Sequence, residues 1–219
     1  QSKIFTSNAI IGLKHVEDFQ SKIPRDEVAE AEKYVLDVLR KLPGGGEYAV
    51  AHAVGSYRRG AMECGDIDIL IGPSGDTPLS LDLLPALITK LRGLRFVTDV
   101  LHDPVKRGGH HKAAKLIDER EKSSFMGVCL IRERYRRIDI KQYPKEQLPF
   151  ALLYFTGSAH FNRSMRSYVT YYGNSRIGGW AGPPGYEFQH QGHNSFSLSD
   201  KGLFECRRSK PGASGEEKD

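Results

Sequence analysis

The sequence predicts an α/β (α+β) fold built on a mixed β-sheet with helices on one face. Three stretches have apolar residues at helical spacing, and five β-type runs lie among them. Over residues 24–143 helices and strands are interspersed, a pattern typical of a sheet covered by helices. A chain of 219 residues can form one compact domain, or one domain with a smaller lobe.

The first long helix is predicted to begin at Pro24 and to end before the glycines at residues 44–46. Acidic Asp26 and Glu27 lie in its first turn and basic Arg40 lies near its last turn, which suits the helix dipole. Its apolar stripe consists of Val28, Ala31, Val35, Val38, Leu39 and Leu42. The residues before this helix, 1–19, have little core of their own and look like the end of something larger.

Two strands are predicted next, at Tyr48–Val54 and Asp66–Ile71, with a turn at Gly55–Gly60 between them. A second helix is predicted over Asp82–Leu91. Asp82 is the expected N-cap, because a short polar side chain before an apolar run can accept a bond from a free helix amide.

A third strand is predicted at Phe96–Leu101. The polar, basic and glycine-containing residues 103–123 are predicted to form a loop. Phe125–Ile131 and Arg136–Tyr143 then form two strands that we expect to pair as a hairpin.

The pattern changes after Pro144. Phe150–Phe155 is apolar, and a third helix is predicted to begin at Ser158. Its buried side is predicted to carry Phe161, Met165, Tyr168, Val169 and Tyr172. Residues 173–194, rich in glycine, proline and glutamine, are predicted to form a loop, and the tail 207–219 to be disordered.

Composition excludes several classes of protein. The three cysteines, Cys64, Cys129 and Cys206, are far apart, which argues against a disulfide framework and a zinc site and favours a reducing compartment. No apolar run is long enough to span a membrane, and residues 1–11 lack the layout of a signal peptide. A net charge of +5 weakly favours an anionic partner. Because no initiator methionine is present, we expect a fragment or a processed product.

A pair of aspartates carries the first chemical signal. Residues i and i+2 of a strand point the same way, so Asp66 and Asp68 project together while Ile67, Ile69 and Ile71 bury the other face. Two carboxylates held this close repel each other until a divalent cation lies between them, and oxygen ligands suit Mg²⁺. Taken alone, an Asp-x-Asp is more often a solvated strand face.

The glycine-rich turn just upstream adds a second signal. Gly55 lets the backbone approach a phosphate closely, Ser56 can donate a hydrogen bond, and Arg59 can bind phosphate oxygens through two nitrogens. Taken alone, this segment could equally be an ordinary basic turn.

A second strand supplies a third carboxylate. Ile138 and Ile140 point inward, while Arg137, Asp139 and Lys141 point the other way. Without context, Arg137 and Asp139 could form a simple surface ion pair. With Asp139 on a strand adjacent to the Asp-x-Asp pair, the three carboxylates instead indicate a two-metal cage for in-line phosphoryl transfer.

The chain resembles the family X DNA polymerases along nearly its whole length. The block at residues 151–166, ALLYFTGSAHFNRSMR, is long and specific. The other segments that carry the resemblance are Ile11–His15, Ile23–Glu27, Gly55–Gly60, Gly65–Leu70, Phe125–Cys129 and Arg136–Ile140.

The resemblance implies a role for each of the three aspartates and for Arg137. Asp66 and Asp68 would each bind both of two Mg²⁺ ions, and Mn²⁺ would be able to replace Mg²⁺. Asp139 would bind only the catalytic metal and help to activate the primer 3′-hydroxyl, and Arg137 would orient Asp139.

The nucleotide site follows from the same resemblance. Gly55, Ser56, Arg59 and Gly65 would hold the incoming triphosphate, and Lys22 stands where the family often has an arginine near that group.

Further along the chain, Tyr154 and Phe155 would line the sugar side of the nucleotide pocket, although they could also be plain core aromatics. Gly157 would belong to that pocket, and its bond to Ser158 is cis in the family. Asn162 would reach the minor-groove edge of the new base and Arg166 the template strand, which agrees with their i, i+4 spacing on one helix face.

The resemblance also divides the chain. Residues 1–21 would be the end of the fingers, a helix-hairpin-helix remnant. Residues 22–143 would be the palm, a catalytic nucleotidyltransferase domain, and residues 144–219 an incomplete thumb with an insertion at about 173–194. The implied activity is template-directed DNA synthesis in short-gap repair in the nucleus. The implied partners are gapped or primed DNA, deoxynucleoside triphosphates and repair proteins, with no membrane.

The chain departs from the family pattern in lacking the lyase domain, in the insertion and in the shortened thumb. Two alternatives therefore stay open: a template-independent terminal transferase or related nucleotidyltransferase, and a catalytically impaired DNA-binding remnant. The block Tyr154–Ser158 argues against an RNA nucleotidyltransferase.

Overall fold

The computed structural model describes residues 5–80, 82–103, 123–174 and 194–207. The helices in these ranges are α1 (Ser7–Lys14), α2 (Val16–Gln20), α3 (Arg25–Arg40), α4 (Gly55–Arg58), α5 (Leu83–Gly93), α6 (Leu148–Thr156) and α7 (Ala159–Asn174), with a 3₁₀ turn at Gly46–Tyr48. The strands are β1 (Ile23–Pro24), β2 (Ala49–Ala53), β3 (Glu63–Cys64), β4 (Ile67–Pro73), β5 (Val97–His102), β6 (Ser124–Ile131), β7 (Arg134–Gln142), β8 (Asn194–Leu198) and β9 (Leu203–Arg207). In the part of the chain so described, no helix is long and apolar enough to cross a membrane.

Five strands form one mixed sheet, as predicted. Their order is β2-β4-β7-β6-β5, with β4 and β7 parallel and the other neighbours antiparallel. β6 and β7 form the expected hairpin, whose two-residue turn holds Arg132 and Glu133 at positive φ. Two smaller pairs, β1 with β3 and β8 with β9, lie outside this sheet.

The main core lies between one face of the sheet and helices α3 and α5. Ile67, Ile69 and Ile71 of β4 point into it and are fully buried, as their alternation with polar residues predicts. The apolar stripe of α3 was also predicted correctly: Val28, Ala31, Val35, Val38 and Leu39 are buried, and Leu42 packs against them.

The other face of the sheet carries Asp68 and Asp139, and we call it the carboxylate face. Part of it is covered by α6, which packs on Leu70 and Tyr143 in a second, smaller core. A side chain at Gly72 would come within 2.7 Å of Leu148 Cδ2, so the glycine allows α6 to lie directly on β4. Helices therefore cover both faces of the sheet, whereas the sequence predicted helices on one face only.

Helices α1 and α2 have no buried residue of their own and are held to the sheet by His15 between them. His15 is only 4% exposed. Its Nε2 lies 3.0 Å from Asp99 Oδ2, and its ring packs on Tyr135 with centroids 4.1 Å apart. Lys14 bonds the other oxygen of Asp99. Residues 5–20 thus dock on β5 and β7 through a set of polar contacts, which also include Asn8 Nδ2 donating to Leu101 O and Tyr135 N donating to Asp18 Oδ2, rather than through an apolar core.

The end of β7 is tied to the turn between β8 and β9. Tyr143 Oη donates a hydrogen bond to Asp200 Oδ2 at 2.5 Å. Burial, and next the bond to Asp200, raise the pKa of Tyr143. The phenol therefore stays protonated and remains the donor in this contact.

Asp82 is not the side-chain cap that the sequence predicted. It occupies the N-cap position of α5, but its side chain makes no capping bond. Gln142 of β7 takes that role, because its Oε1 accepts from Leu84 N at 3.1 Å while its Nε2 donates to Ser80 O at 2.8 Å. A side chain distant in sequence has replaced the local cap.

Several predicted boundaries also need correction. The turn at 55–60 contains the short helix α4, and α7 runs to Asn174, into the predicted loop 173–194, whose last residue begins β8. Arg207, expected to be disordered, ends strand β9. Residues 104–122, 175–193 and 208–219, on which the rest of these loop and tail predictions fall, lie outside the described residues.

The predicted buried side of α7 is partly wrong. Phe161 is 40% exposed and Tyr168 is 51% exposed, whereas Met165 and Val169 are half-buried. The helix packs mainly against β8. The buried stripe on its surface is therefore narrower than the spacing of its aromatic residues suggests. The side chain of Tyr172 lies outside the described part of the chain.

Candidate active site

The parallel pairing of β4 with β7 brings the predicted carboxylates together. Ile67 pairs with Ile138 and Asp68 with Asp139, so the same alternation of isoleucine and aspartate lies side by side on both strands. Asp66 immediately precedes β4. Asp139 is only 9% exposed, and Asp66 and Asp68 are half-buried.

Asp68 and Asp139 have raised pKa values. Burial, and next repulsion from Asp66 and Asp139, raise the pKa of Asp68 to about 6. Burial also raises the pKa of Asp139, an effect that the Arg137 and Lys141 charges oppose and the Asp66 charge increases. A cation at this position would relieve both the burial cost and the repulsion.

Arg137 lies beside the carboxylates, and its direct bond is to Asp66. Its Nη2 lies 3.3 Å from Asp66 Oδ2, and both side chains remain partly exposed. Its charge lowers the pKa of both Asp68 and Asp139. The ion pair goes to Asp66, and the orientation of Asp139 by Arg137 stays a prediction.

The complete metal cage is not assembled in this arrangement. Within residues 5–80, 82–103, 123–174 and 194–207, no group of three or more His, Cys, Asp or Glu side chains is placed to hold a metal ion. Asp66 is bonded to Arg137 instead. The donor set still fits Mg²⁺, because carboxylate oxygens are its preferred ligands and a divalent cation would relieve the burial of Asp68 and Asp139 and their repulsion from Asp66.

The turn after β2 lies directly against Asp68. Val54 N donates to Asp68 O at 2.9 Å. Gly55 has a φ of +59°, and a Cβ there would lie 2.7 Å from Asp68 Oδ2. Both the backbone conformation and the close approach therefore require glycine. Ser56 follows in α4, where its carbonyl accepts from Ala61 N at 3.1 Å and closes the turn.

Arg59 joins this turn to the end of α6. Its Nη1 donates to Thr156 O at 2.7 Å, and it passes close to Gly157. The peptide bond between Gly157 and Ser158 is cis, as the family resemblance implies. Thr156 Oγ1 is buried without a hydrogen-bond partner among the described residues.

Lys22 and Gly65 lie at the other edge of the carboxylates. The antiparallel β1–β3 pair matches Ile23 with Cys64. Continuing that register by one residue places Lys22 opposite Gly65, immediately before Asp66. Lys22 is exposed.

Helix α7 contacts α6 through the two polar residues predicted to share a face. Asn162 Nδ2 donates to Tyr154 O at 2.7 Å. Arg166 Nη2 donates to Tyr154 Oη at 2.6 Å, and its guanidinium lies 4.9 Å from the centre of that ring. Phe155 meets Tyr154 edge-on and lies 5.2 Å from Lys141 Nζ. Tyr154 and Phe155 thus point to different neighbours.

The sequence analysis missed a buried ion pair behind the site. Arg136 Nε donates to Glu27 Oε1 at 2.7 Å, and both side chains are almost fully buried. Arg136 Nη1 also donates to Ser21 Oγ at 2.7 Å. Strand alternation was the available signal, because it places Arg136 on the inward side with Ile138, where a charge needs a partner. This pair fixes the strand position next to Arg137.

Comparison with known proteins identifies the class of protein. The family model described as DNA polymerase beta palm matches residues 22–145, which include the whole five-stranded sheet. The sheet order and the mixed strand directions are consistent with such a palm. The chain belongs to the family X DNA polymerases.

Curated relatives give the same result. Rat (Rattus norvegicus) DNA polymerase lambda is 39% identical over 166 residues, which cover 74% of this chain and 26% of the rat protein. Arabidopsis thaliana DNA polymerase lambda is 31% identical over 161 residues, 71% of this chain and 28% of that protein. Xenopus laevis DNA nucleotidylexotransferase is 27% identical over 180 residues, 73% of this chain and 35% of that protein. In each case the chain spans a minor part of its relative's length.

Proposed function

We propose that this chain is the polymerising core of a DNA polymerase that fills short gaps during DNA repair in the nucleus. The reaction would be template-directed transfer of a deoxynucleotidyl group to a primer 3′-hydroxyl, with release of pyrophosphate. The pairing of Asp68 with Asp139, next to Asp66 and the Gly55 turn, is the observation that supports this proposal most strongly.

The carboxylates would hold the metals. Two Mg²⁺ ions, or Mn²⁺ in their place, bound by Asp66, Asp68 and Asp139 would stabilise charge on the attacking and leaving oxygens. Asp139 would help to remove the proton of the primer hydroxyl, a role that suits a carboxylate whose pKa is raised by burial. Arg137 would hold Asp66 until metal binds and then help to fix the position of Asp139.

The turn after β2 would bind the triphosphate. Gly55 lets the turn lie directly against Asp68, where its backbone would meet the phosphate oxygens, and Ser56 would donate from the start of α4. A guanidinium has five N–H donors, so the bond from Arg59 to Thr156 O leaves others for the phosphates. Lys22 and Gly65, opposite each other at the far edge, would complete the site.

The remaining residues would recognise the base pair. Tyr154, Phe155 and Gly157 would line the sugar side of the pocket. Asn162 would contact the minor-groove edge and Arg166 the template strand, both from positions fixed by bonds to Tyr154. On this proposal, residues 1–21 are the end of the fingers, 22–143 the palm and 144–219 the thumb.

A terminal transferase is the second candidate, because the chain is also 27% identical to a Xenopus DNA nucleotidylexotransferase. Primer extension with Mg²⁺ on a duplex with a one-nucleotide gap, and on the primer strand alone, separates the two. We expect insertion of the complementary nucleotide on the gapped duplex and none on the single strand. Equal extension of both substrates would favour the transferase.

A third outcome, no extension on either substrate with DNA binding retained, would indicate an impaired remnant. The specific control is Asp139→Asn, which should lower the rate by about 100-fold to 1,000-fold because a preorganised charge contact is lost. Asp76→Asn makes the same chemical change at an exposed carboxylate paired with Lys145 and should leave the rate unchanged. A normal rate for Asp139→Asn would contradict the assignment of the site.

A further inference from the structure

A row of side chains extends beyond the carboxylates across the sheet. Asp68 pairs with Asp139, Asp139 pairs with Met126 of β6, and Met126 pairs with His102 of β5. Directly paired residues of neighbouring strands point to the same side of a sheet. Met126 therefore lies on the carboxylate face, in line with the two aspartates. His102 is the β5 partner of Met126, reached just after a register shift between Val100 and His102, and we place it on the same face by that pairing.

This row is accessible. Met126 is 37% exposed, which is unusual for a large apolar side chain in the middle of a sheet, and His102 is half-buried. Neighbouring strands lie about 4.8 Å apart, so the backbone of His102 is roughly 10 Å from that of Asp139. Helix α1 lies along the outer edge of the row, where Asn8 Nδ2 donates to Leu101 O at 3.3 Å. Helix α6 lies at the opposite side of the carboxylates.

The acidic groups near the outer end of the row are already paired. Asp99 is bonded by both Lys14 and His15. Asp103 lies 3.9 Å from the Arg92 guanidinium. A polyanion passing over Met126 and His102 would therefore meet neutralised carboxylates rather than free ones.

We infer that Met126 and His102 form a track for the DNA duplex next to the reacting primer end. Met126 packs against a deoxyribose with its flexible thioether chain, and an imidazole N–H of His102 donates to a backbone phosphate. Since each base pair advances the helix by about 3.4 Å, 10 Å corresponds to about three base pairs from the reacting end. This inference rests on the proposed polymerase function, and it assigns two positioning residues that the sequence analysis did not identify.

Equilibrium binding tests the track without requiring catalysis. The probe is a fluorescein-labelled duplex with a one-nucleotide gap, and fluorescence anisotropy gives Kd at about 50 and about 200 mM salt. We expect His102→Ala to raise Kd about fivefold and Met126→Ala about threefold, the size of one lost hydrogen bond and of one lost apolar contact. His102→Gln retains a donor and should stay closer to the unmodified chain.

A positive charge added at His102 gives a more specific test, because it changes the salt dependence of DNA binding. His102→Lys should lower Kd and steepen the log–log salt slope by about 0.9, because a lysine beside a phosphate releases one more counterion. Ala86→Lys is the matched control, since Ala86 is exposed on α5, which packs on the opposite face of the sheet. It should leave the slope and the polymerase rate unchanged.

The outcomes separate this inference from the proposed function. Unchanged Kd values for His102→Ala and Met126→Ala, with equal slopes for His102→Lys and Ala86→Lys, would overturn the track even if the unmodified chain extends primers. The expected shifts in a chain that extends no primer would support the track as a DNA-binding surface and refute the polymerase proposal. Circular dichroism of each variant excludes loss of folding as the cause of a raised Kd.

Discussion

Replacing Asp68 by asparagine should stabilise the metal-free protein at neutral pH. The pKa of Asp68 is raised to about 6 from a usual value of 3.8, first by burial and then by the charges of Asp66 and Asp139. Between these two values the folded chain binds more protons than the unfolded chain, so stability falls as the pH rises from about 4 to about 6. Above pH 6 the full cost of ionising Asp68 is present, and an uncharged asparagine removes it.

The size of this effect follows from the shift. A difference of about 2 pKa units corresponds to roughly 3 kcal/mol at 1.36 kcal/mol per unit. Because Asp68 is half-buried and Asp139 can relax once its neighbour is neutral, we expect a gain of about 2 kcal/mol. For a chain of this length, that gain raises Tm by roughly 4–8 °C.

Thermal unfolding followed by circular dichroism in a chelating buffer measures the change. At about pH 7.5 the Asp68→Asn protein should unfold at the higher temperature, and at about pH 4 the two proteins should unfold together, because Asp68 is then protonated. Adding Mg²⁺ should stabilise the unmodified chain more than the variant, since the ion relieves the same repulsion.

Asp76→Asn is the matched control. Asp76 is exposed and its pKa is lowered by the bond to Lys145, so this variant should gain no stability at either pH. Our account of the carboxylates would be refuted if Asp68→Asn were no more stable than the unmodified chain at pH 7.5. A gain of equal size at pH 4 would also refute it, because it would show that packing rather than charge had changed.

Three further substitutions test other parts of the structure. Arg136→Ala should cost about 3–5 kcal/mol in urea unfolding because it leaves the Glu27 carboxylate buried without its partner, and Glu27→Leu in the same chain should recover part of the loss. Gly72→Ala should lower the free energy of unfolding by about 1–3 kcal/mol through the clash with Leu148; an unchanged urea midpoint would show that α6 can shift freely. Arg59→Ala should raise the nucleotide KM and lower kcat in primer extension, whereas an effect on DNA affinity alone would make Arg59 a residue that positions the DNA backbone.

The sequence predicts the direction of Asp68 and Asp139 well, because the alternation of side chains along a strand depends only on neighbouring residues. The isoleucines on either side of Asp68 and Asp139 show which way the carboxylates point, and the structure places both strands side by side as expected. Long-range partners cannot be obtained in this way. Arg136 is visibly an inward charge, but its partner Glu27 lies 109 residues earlier. The capping of α5 by Gln142 instead of Asp82 has the same origin, since a tertiary bond replaced a local one.

The spacing of aromatic residues on α7 predicted more buried side chains than the structure shows. Phe161 and Tyr168 fall on the expected stripe, yet both are exposed in the described part of the chain. A helix at the edge of a fold contacts neighbours along a narrow line, and the sequence does not give the width of that contact. Met126 and His102 were missed because their alignment with Asp139 depends on the register of three strands.

Strand β7 is held by a side-chain contact near each of its ends. Near its start the guanidinium of Arg136 is locked to Glu27, and just past its end the phenol of Tyr143 is tied to Asp200. Arg136 and Tyr143 are seven positions apart, a span of roughly 23 Å in an extended strand, and Asp139 lies between them. Sliding β7 along its axis would break one of these contacts, so they add to the pairing of β4 with β7 in holding Asp139 beside Asp68. A substitution in either contact would therefore shift Asp139 relative to Asp68 without replacing any residue of the site.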